Sequence, residues 1–304
     1  MEHEEWGISI VPHSSFLIER SENIYMLFAF HSSAAMLISA AVTFLTGMVI
    51  MIQGSYFPVG IGLVIVSCIG FIMLLTSVPK LYKATLKRCH YDINGFSREQ
   101  KNIAGRCAGK KKLDVLINLI FGLMAHEKLD ESERLLMQIS PLVDKSSNSY
   151  KMKYLFLNLA LSGKRKDFQN CSYILERLIN ELQTSRELFI LEKDEYRHLA
   201  EILQYETAFY SLDFGNLSAS DKEIILKLNF LARQYLSYEH CTHELWNEYF
   251  KMHFNYMLGI TYLTMGDNRS AQFYLNNTAN TPYTYPETAR AVYFFQTHDR
   301  KIFF

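Results

Sequence analysis

From Ile24 to Pro79 the chain contains no Asp, Glu, Lys or Arg, although charged residues make up 20% of its 304 positions. An uncharged stretch of that length has to leave water, either into a core or into lipid. It divides into an apolar run from Ile24 to Ile52 and a second from Val59 to Val78, separated by Gln53-Gly54-Ser55-Tyr56-Phe57-Pro58, whose Gly and Pro read as a turn. About 20 apolar residues span a hydrocarbon core, and backbone groups in lipid must be bonded internally, so each run is expected to be a helix. The expectation is an all-α chain with a transmembrane helical hairpin over 24–79. An acidic leader over 1–23 precedes it, with Glu2, Glu4, Glu5, Glu19 and Glu22 against Arg20 alone. That sign is wrong for a cleaved signal peptide.

Ala35, Ser39, Thr43 and Gly47 recur at four-residue spacing along the first run. Small residues let helix backbones approach closely, either between the two runs or in a homo-oligomer through the hairpin. Residues 80–112 form a basic collar: Lys80, Lys83, Lys87, Arg88, Arg98, Lys101, Arg106, Lys110, Lys111 and Lys112 face only Asp92 and Glu99. Basic residues beside a span stay on the cytoplasmic side, so an integral membrane protein with two spans and both termini cytoplasmic is expected. Lys80, Lys83, Lys87, Arg88, Lys110, Lys111 and Lys112 then become membrane-surface residues, with anionic headgroups of the bilayer as their partner. That placement argues for lipid over nucleic acid. Asn94-Gly95 and the segment from Gly105 to Gly109 predict a collar that is partly loop.

From residue 113 to 304 the pattern is helical. Leu113, Leu116, Ile117, Ile120 and Leu123 share one face, as do Leu245, Tyr249, Met252, Tyr256, Ile260 and Leu263. Helices are expected over about 112–124, 150–161, 167–182, 187–212 (one long or two short), 220–238 and 242–265, with another opened by Pro286. Asp130 with Glu133, and Ser220 with Glu223, have the spacing of N-terminal capping pairs, and Pro141 and Gly163 read as stops. No strand-turn-strand run is present.

Between Met252 and Tyr285 the chain has Leu258-Gly259, Tyr262, Gly266-Asp267 and Ala271 in order. This resembles a tetratricopeptide repeat, whose first helix carries Leu-Gly and Tyr and whose second carries Ala. The resemblance covers one repeat well. Tyr150 to Asn180 follows it more loosely, and Thr278 and Pro282 depart from the pattern. It implies a TPR-like array of helix hairpins with a concave face for a protein or peptide partner. The positions it assigns to partner binding are His253, Tyr256, Ile260, Leu263 and Thr264.

Catalytic signatures are missing. There is no GxGxxG, no GxxxxGK[ST] and no GxSxG. Cys68, Cys89, Cys107, Cys171 and Cys241 are scattered without paired spacing, which argues against a disulfide framework or a zinc site. Glu195 and His198 form a single E-x-x-H unit where di-iron bundles use two, and His240, Cys241 and His243 straddle an expected helix boundary. No catalytic residue, metal or cofactor is therefore expected. The sequence points to a membrane-anchored interaction module, a scaffold or adaptor; the alternative is a membrane-tethered regulator that responds to a ligand or peptide.

Overall fold

The computed structural model describes residues 41–52, 57–184, 190–237 and 244–303, without side chains at 57, 70–83, 190–193, 195 and 244–245. The leader over 1–23, Ala35, Ser39 and the cluster of His240, Cys241 and His243 lie outside the described residues. The chain divides into two units, Met1–Ala84 and Thr85–Phe304.

In the first unit, residues 41–52 are helical (α1) and α2 runs Phe57–Lys87. Gly47 sits against α2: a Cβ there would stand 2.9 Å from the Gly60 carbonyl oxygen, so both glycines are needed for backbones to approach this closely. Among the described residues no helix is long and apolar enough to cross a membrane. α2 is 31 residues long, but within the same helix its apolar run gives way to Lys80, Lys83 and Lys87. The expected transmembrane hairpin is corrected accordingly. With it go the two-span topology with cytoplasmic termini, the membrane-anchored function, the lipid bilayer as partner and a homo-oligomer through the hairpin.

The basic collar breaks at Cys107 and Ala108, within the segment expected to be loop, but not at Asn94-Gly95. Residues 93–106 are helical throughout (α3, Ile93–Arg106), because Asp92 caps the helix by accepting from the Gly95 N–H at 2.9 Å. Arg88 is no free surface charge: it pairs with Asp92 at 3.1 Å and with Glu99. Lys87, Lys110 and Lys111 are exposed and Lys112 is half-buried, while the side chains of Lys80 and Lys83 are not described.

The second unit is all-helical among its described residues. After α3 come α4 (Gly109–Ala125), α5 (Leu129–Val143), α6 (Asn148–Lys164), α7 (Phe168–Thr184), α8 (Ile190–Phe209), α9 (Ala219–Ser237), α10 (Glu244–Thr264), α11 (Asn268–Ala279) and α12 (Pro286–Thr297). A 3-10 turn, Arg300–Phe303, follows. Each helix packs on the next in sequence, and α4 also touches α6, α6 touches α8, and α10 touches α12. This is the packing of a helical-repeat array.

The repetition is visible in the turns. α4–α5, α6–α7 and α10–α11 are joined by the same device: a residue in the left-handed region, Glu127, Lys166 or Gly266, at φ 57°, 58° and 82°. In each the next N–H reaches back to close the preceding helix, Lys128 to Leu123 O at 2.9 Å, Asp167 to Ser162 O at 3.0 Å and Asp267 to Tyr262 O at 3.0 Å. At the same place beyond each turn the second helix buries a small residue: Ser132, Cys171 and Ala271. Further along, Ile139, Leu178 and Thr278 are each 0% exposed.

Two capping signals resolve otherwise than expected. Asp130 and Glu133 do not cap α5; both accept from the Arg165 guanidinium at 2.7 Å. The box before α9 is Ser218 with Asp221, which exchange hydrogen bonds of 3.2 and 2.8 Å, because Ser218 immediately precedes the first helical residue, Ala219, and Ser220 is already within the helix. The two stops hold to within one or two residues: α6 ends at Lys164, just past Gly163, and α5 at Val143, just past Pro141. Pro286 does open α12.

The second unit closes on itself. Trp246 of α10 packs against Phe121 of α4 with ring centroids 3.9 Å apart and planes tilted by 50°, and donates to Asn118 Oδ1 at 3.3 Å. Thr284 N–H donates to His90 O at 2.9 Å, and the Tyr285 hydroxyl bonds His90 Nδ1 at 2.7 Å.

Candidate binding site

The first helices of successive pairs, α4, α6, α8 and α10, turn one face inward, and α12 with the C-terminal 3-10 turn completes the wall. They border a partly open cavity of about 440 Å³. Such a volume lies within the usual range for small-ligand sites. Its lining is dominated by rings: Phe121, Phe156, Tyr249, Phe250, Phe254 and Tyr256. Phe303 already packs against Tyr256 from the C-terminal turn, at 5.8 Å between centroids.

Within this apolar wall lies a charged cluster. His253 of α10 is 6% exposed, and both ring nitrogens face carboxylates. Nε2 lies 3.2 Å from Glu206 Oε2 on α8, and Nδ1 lies 3.3 Å from Glu287 Oε1 on α12. Lys164 of α6 approaches Glu287 Oε1 at 3.9 Å, and the Tyr249 hydroxyl donates to the same oxygen at 3.5 Å. Four helices thus converge on one buried group.

Burial disfavours a charged imidazole, but the two carboxylates outweigh it and push His253 up to about 9. Burial likewise opposes ionisation of Glu287, yet the His253 bond and the Lys164 charge bring it down to about 2. Glu206 is held below its ordinary value for the same reason: burial raises it, and His253 and then Lys164 lower it by more. At neutral pH the cluster is two carboxylates, one imidazolium and one ammonium, and its charge sums to zero. Arg290, also in the wall, donates to Glu127 at 2.7 Å and forms a second neutral pair. One acceptor is left over: Glu287 Oε2 is buried and has no hydrogen-bond partner on another described residue.

The positions assigned from the repeat resemblance separate. His253 and Tyr256 line the cavity. Ile260 is fully buried, and Leu263, 4% exposed, faces a smaller depression with Phe294 and Arg300. Thr264 is half-buried and donates to Ile260 O at 2.8 Å. Sequence reasoning missed Glu206, Glu287, Lys164, Tyr249 and Arg290. A signal was there for two of them: Glu206 continues the apolar stripe of Leu199, Ile202 and Leu203, and Glu287 shares a buried face with Thr288, Ala291 and Phe294. A carboxylate inside an apolar stripe requires a partner. Which helix supplies it is a fact of three dimensions.

A second polar cluster lies at the closure of the array. Cys89 and His90 are buried beside Tyr285, and His126 Nε2 bonds Cys89 O at 2.8 Å. Burial pushes the Cys89 thiol up to about 12, which leaves it protonated and a poor nucleophile. His198 stacks on Tyr235 with centroids 6.0 Å apart. No group of three or more metal-ligating side chains is found among the described residues. Comparison with protein-family models, with curated proteins and with solved structures returned no match.

Proposed function

We propose that the helical array is a protein-interaction module that receives a segment of a partner protein in its inner cavity. The observation that carries this reading is the cavity itself: about 440 Å³ of ring-lined space on the inward face of the first helices. That is the face on which helical repeats bind extended or helical segments. The α10–α11 hairpin supports a TPR-like reading. A Cβ on Gly259 would stand 2.5 Å from Leu275, so the first helix needs glycine where the second presses on it, and Ala271 is fully buried in the same contact. On this reading the protein binds and does not catalyse, and His253 and Tyr256 are contact residues while Ile260, Leu263 and Thr264 shape the helix that presents them.

The test is a photo-cross-linking amino acid at Leu129, a lining residue, in the full chain within cells. A defined partner peptide is expected in the cross-link. Its yield should fall when the cavity is filled by Ala160→Phe. A cross-link of unchanged yield and identity in the filled variant overturns the reading.

A further inference from the structure

Resting on that reading of the cavity, we infer that the group it takes is a neutral aromatic ring bearing one N–H or O–H donor, an indole or a phenol. Three observations restrict the occupant. The wall is made of rings, and Phe303 of the chain's own C-terminal turn already lies edge-on to Tyr256 there, so the site accommodates aromatic edge and face contacts. The volume is ample for a fused bicyclic ring, since a cavity of about 150 Å³ suffices for benzene.

Charge is the second restriction. Glu206 and Glu287 are matched by His253 and Lys164, and Glu127 by Arg290. An ammonium or carboxylate entering this space meets no unmatched countercharge and loses its hydration. Lys166 is the remaining charged lining residue, and it is exposed to solvent, where its charge is screened.

The third restriction is the vacant valence. Glu287 is 2% exposed, and its Oε1 already faces His253, Tyr249 and Lys164 while Oε2 takes no hydrogen bond from another described residue. A buried carboxylate oxygen without a donor favours an occupant that supplies one. A ring N–H or O–H satisfies it without adding charge. Trp and Tyr side chains have this chemistry and are common interface anchors.

The experiment measures binding of small probes to the full chain by calorimetry and by thermal shift. Indole and p-cresol are expected to bind, with toluene about tenfold weaker for want of the donor. Tryptamine and indole-3-acetate are expected to bind more weakly than indole. N-acetyl-tryptophanamide separates the two sources of the ring: binding tighter than indole marks a partner side chain, and binding weaker than indole marks a free small molecule. Ala160→Phe, or Leu203→Trp should that variant fail to fold, should abolish every signal. Tightest binding by tryptamine, by indole-3-acetate or by toluene overturns the inference, as does absence of binding by all probes. Retention of the Leu129 cross-link with no probe bound would sink this inference alone and leave the interaction reading standing.

Discussion

His253 and His90 are both buried, and burial lowers the affinity of each for a proton. Their partners decide opposite outcomes. Around His253, Glu206 and Glu287 overcome burial and the nearby Lys164, and the ring moves up to about 9. Around His90, Glu248 offers a weak opposing pull at 4.0 Å, His126 and Lys87 add to the effect of burial, and the ring falls to about 4. The signs follow from linkage. The contribution of His253 is complete below pH 6.5 and is lost as pH rises through 9; that of neutral His90 is complete above pH 6.5 and is lost as pH falls through 4. His126, also held low mainly by burial, strengthens the acid limb. Stability measured by urea unfolding should therefore peak near pH 6.5, with the alkaline limb falling by about 2–3 kcal/mol on account of His253. His253→Gln should flatten the alkaline limb, and His90→Gln the part of the acid limb between pH 6.5 and about 4.5, above the range in which Glu206 and Glu287 add their own loss; limbs that stay parallel to the parent chain's over those ranges would refute the assignment. In the sequence these histidines are indistinguishable by neighbours in the chain. Their partners lie 34 to 47 residues away for His253 and 195 for the Tyr285 contact of His90, which is why the site was only half legible.

The helices themselves were legible because apolar residues three and four apart leave little choice of structure. Expected spans such as 167–182 and 220–238 match α7, Phe168–Thr184, and α9, Ala219–Ser237, to within a residue or two. α3 was hidden because Asn94-Gly95 reads as a turn, whereas the Gly95 N–H is the donor that Asp92 caps. The repeating turn was partly hidden too, since two of its three left-handed positions hold Glu127 and Lys166 where glycine would have announced them. Those substitutions make a prediction with opposite signs. Gly266→Ala should destabilise the fold by about 1 kcal/mol, and Lys166→Gly should stabilise it by up to about 1 kcal/mol, because a side chain in the left-handed region carries that penalty. Thermal unfolding reads both, and equal signs would show that the turns are not equivalent. Within α10–α11, Gly259→Ala should cost about 1–3 kcal/mol through the clash with Leu275, an overpacking effect that Leu275→Ala should relieve in a double-mutant cycle.

At the scale of the molecule, the uncharged run from Ile24 to Pro79 was the loudest signal in the sequence and the one most corrected. Lack of charge says what a segment avoids; crossing a bilayer also requires a helix both long and apolar enough, and none among the described residues is. The closure of the second unit, by contrast, was silent in the sequence, because Thr284, Tyr285 and Trp246 are unremarkable until they meet His90, Phe121 and Asn118. Nearest-neighbour stacking alone would let the terminal helices fray independently. Here removing one hydroxyl should loosen both ends. Tyr285→Phe takes the hydrogen bond from buried His90, and should cost about 1–3 kcal/mol and speed amide exchange at residues 88–91 and 284–291 together. Faster exchange at one segment only would mean the contact is incidental. The same contact also decides how the unit answers to force. Tension applied at residues 85 and 303 loads the Thr284–His90 and Tyr285–His90 bonds before any helix pair, so a single-molecule trace should show one abrupt rip in place of the stepwise peeling of an open array.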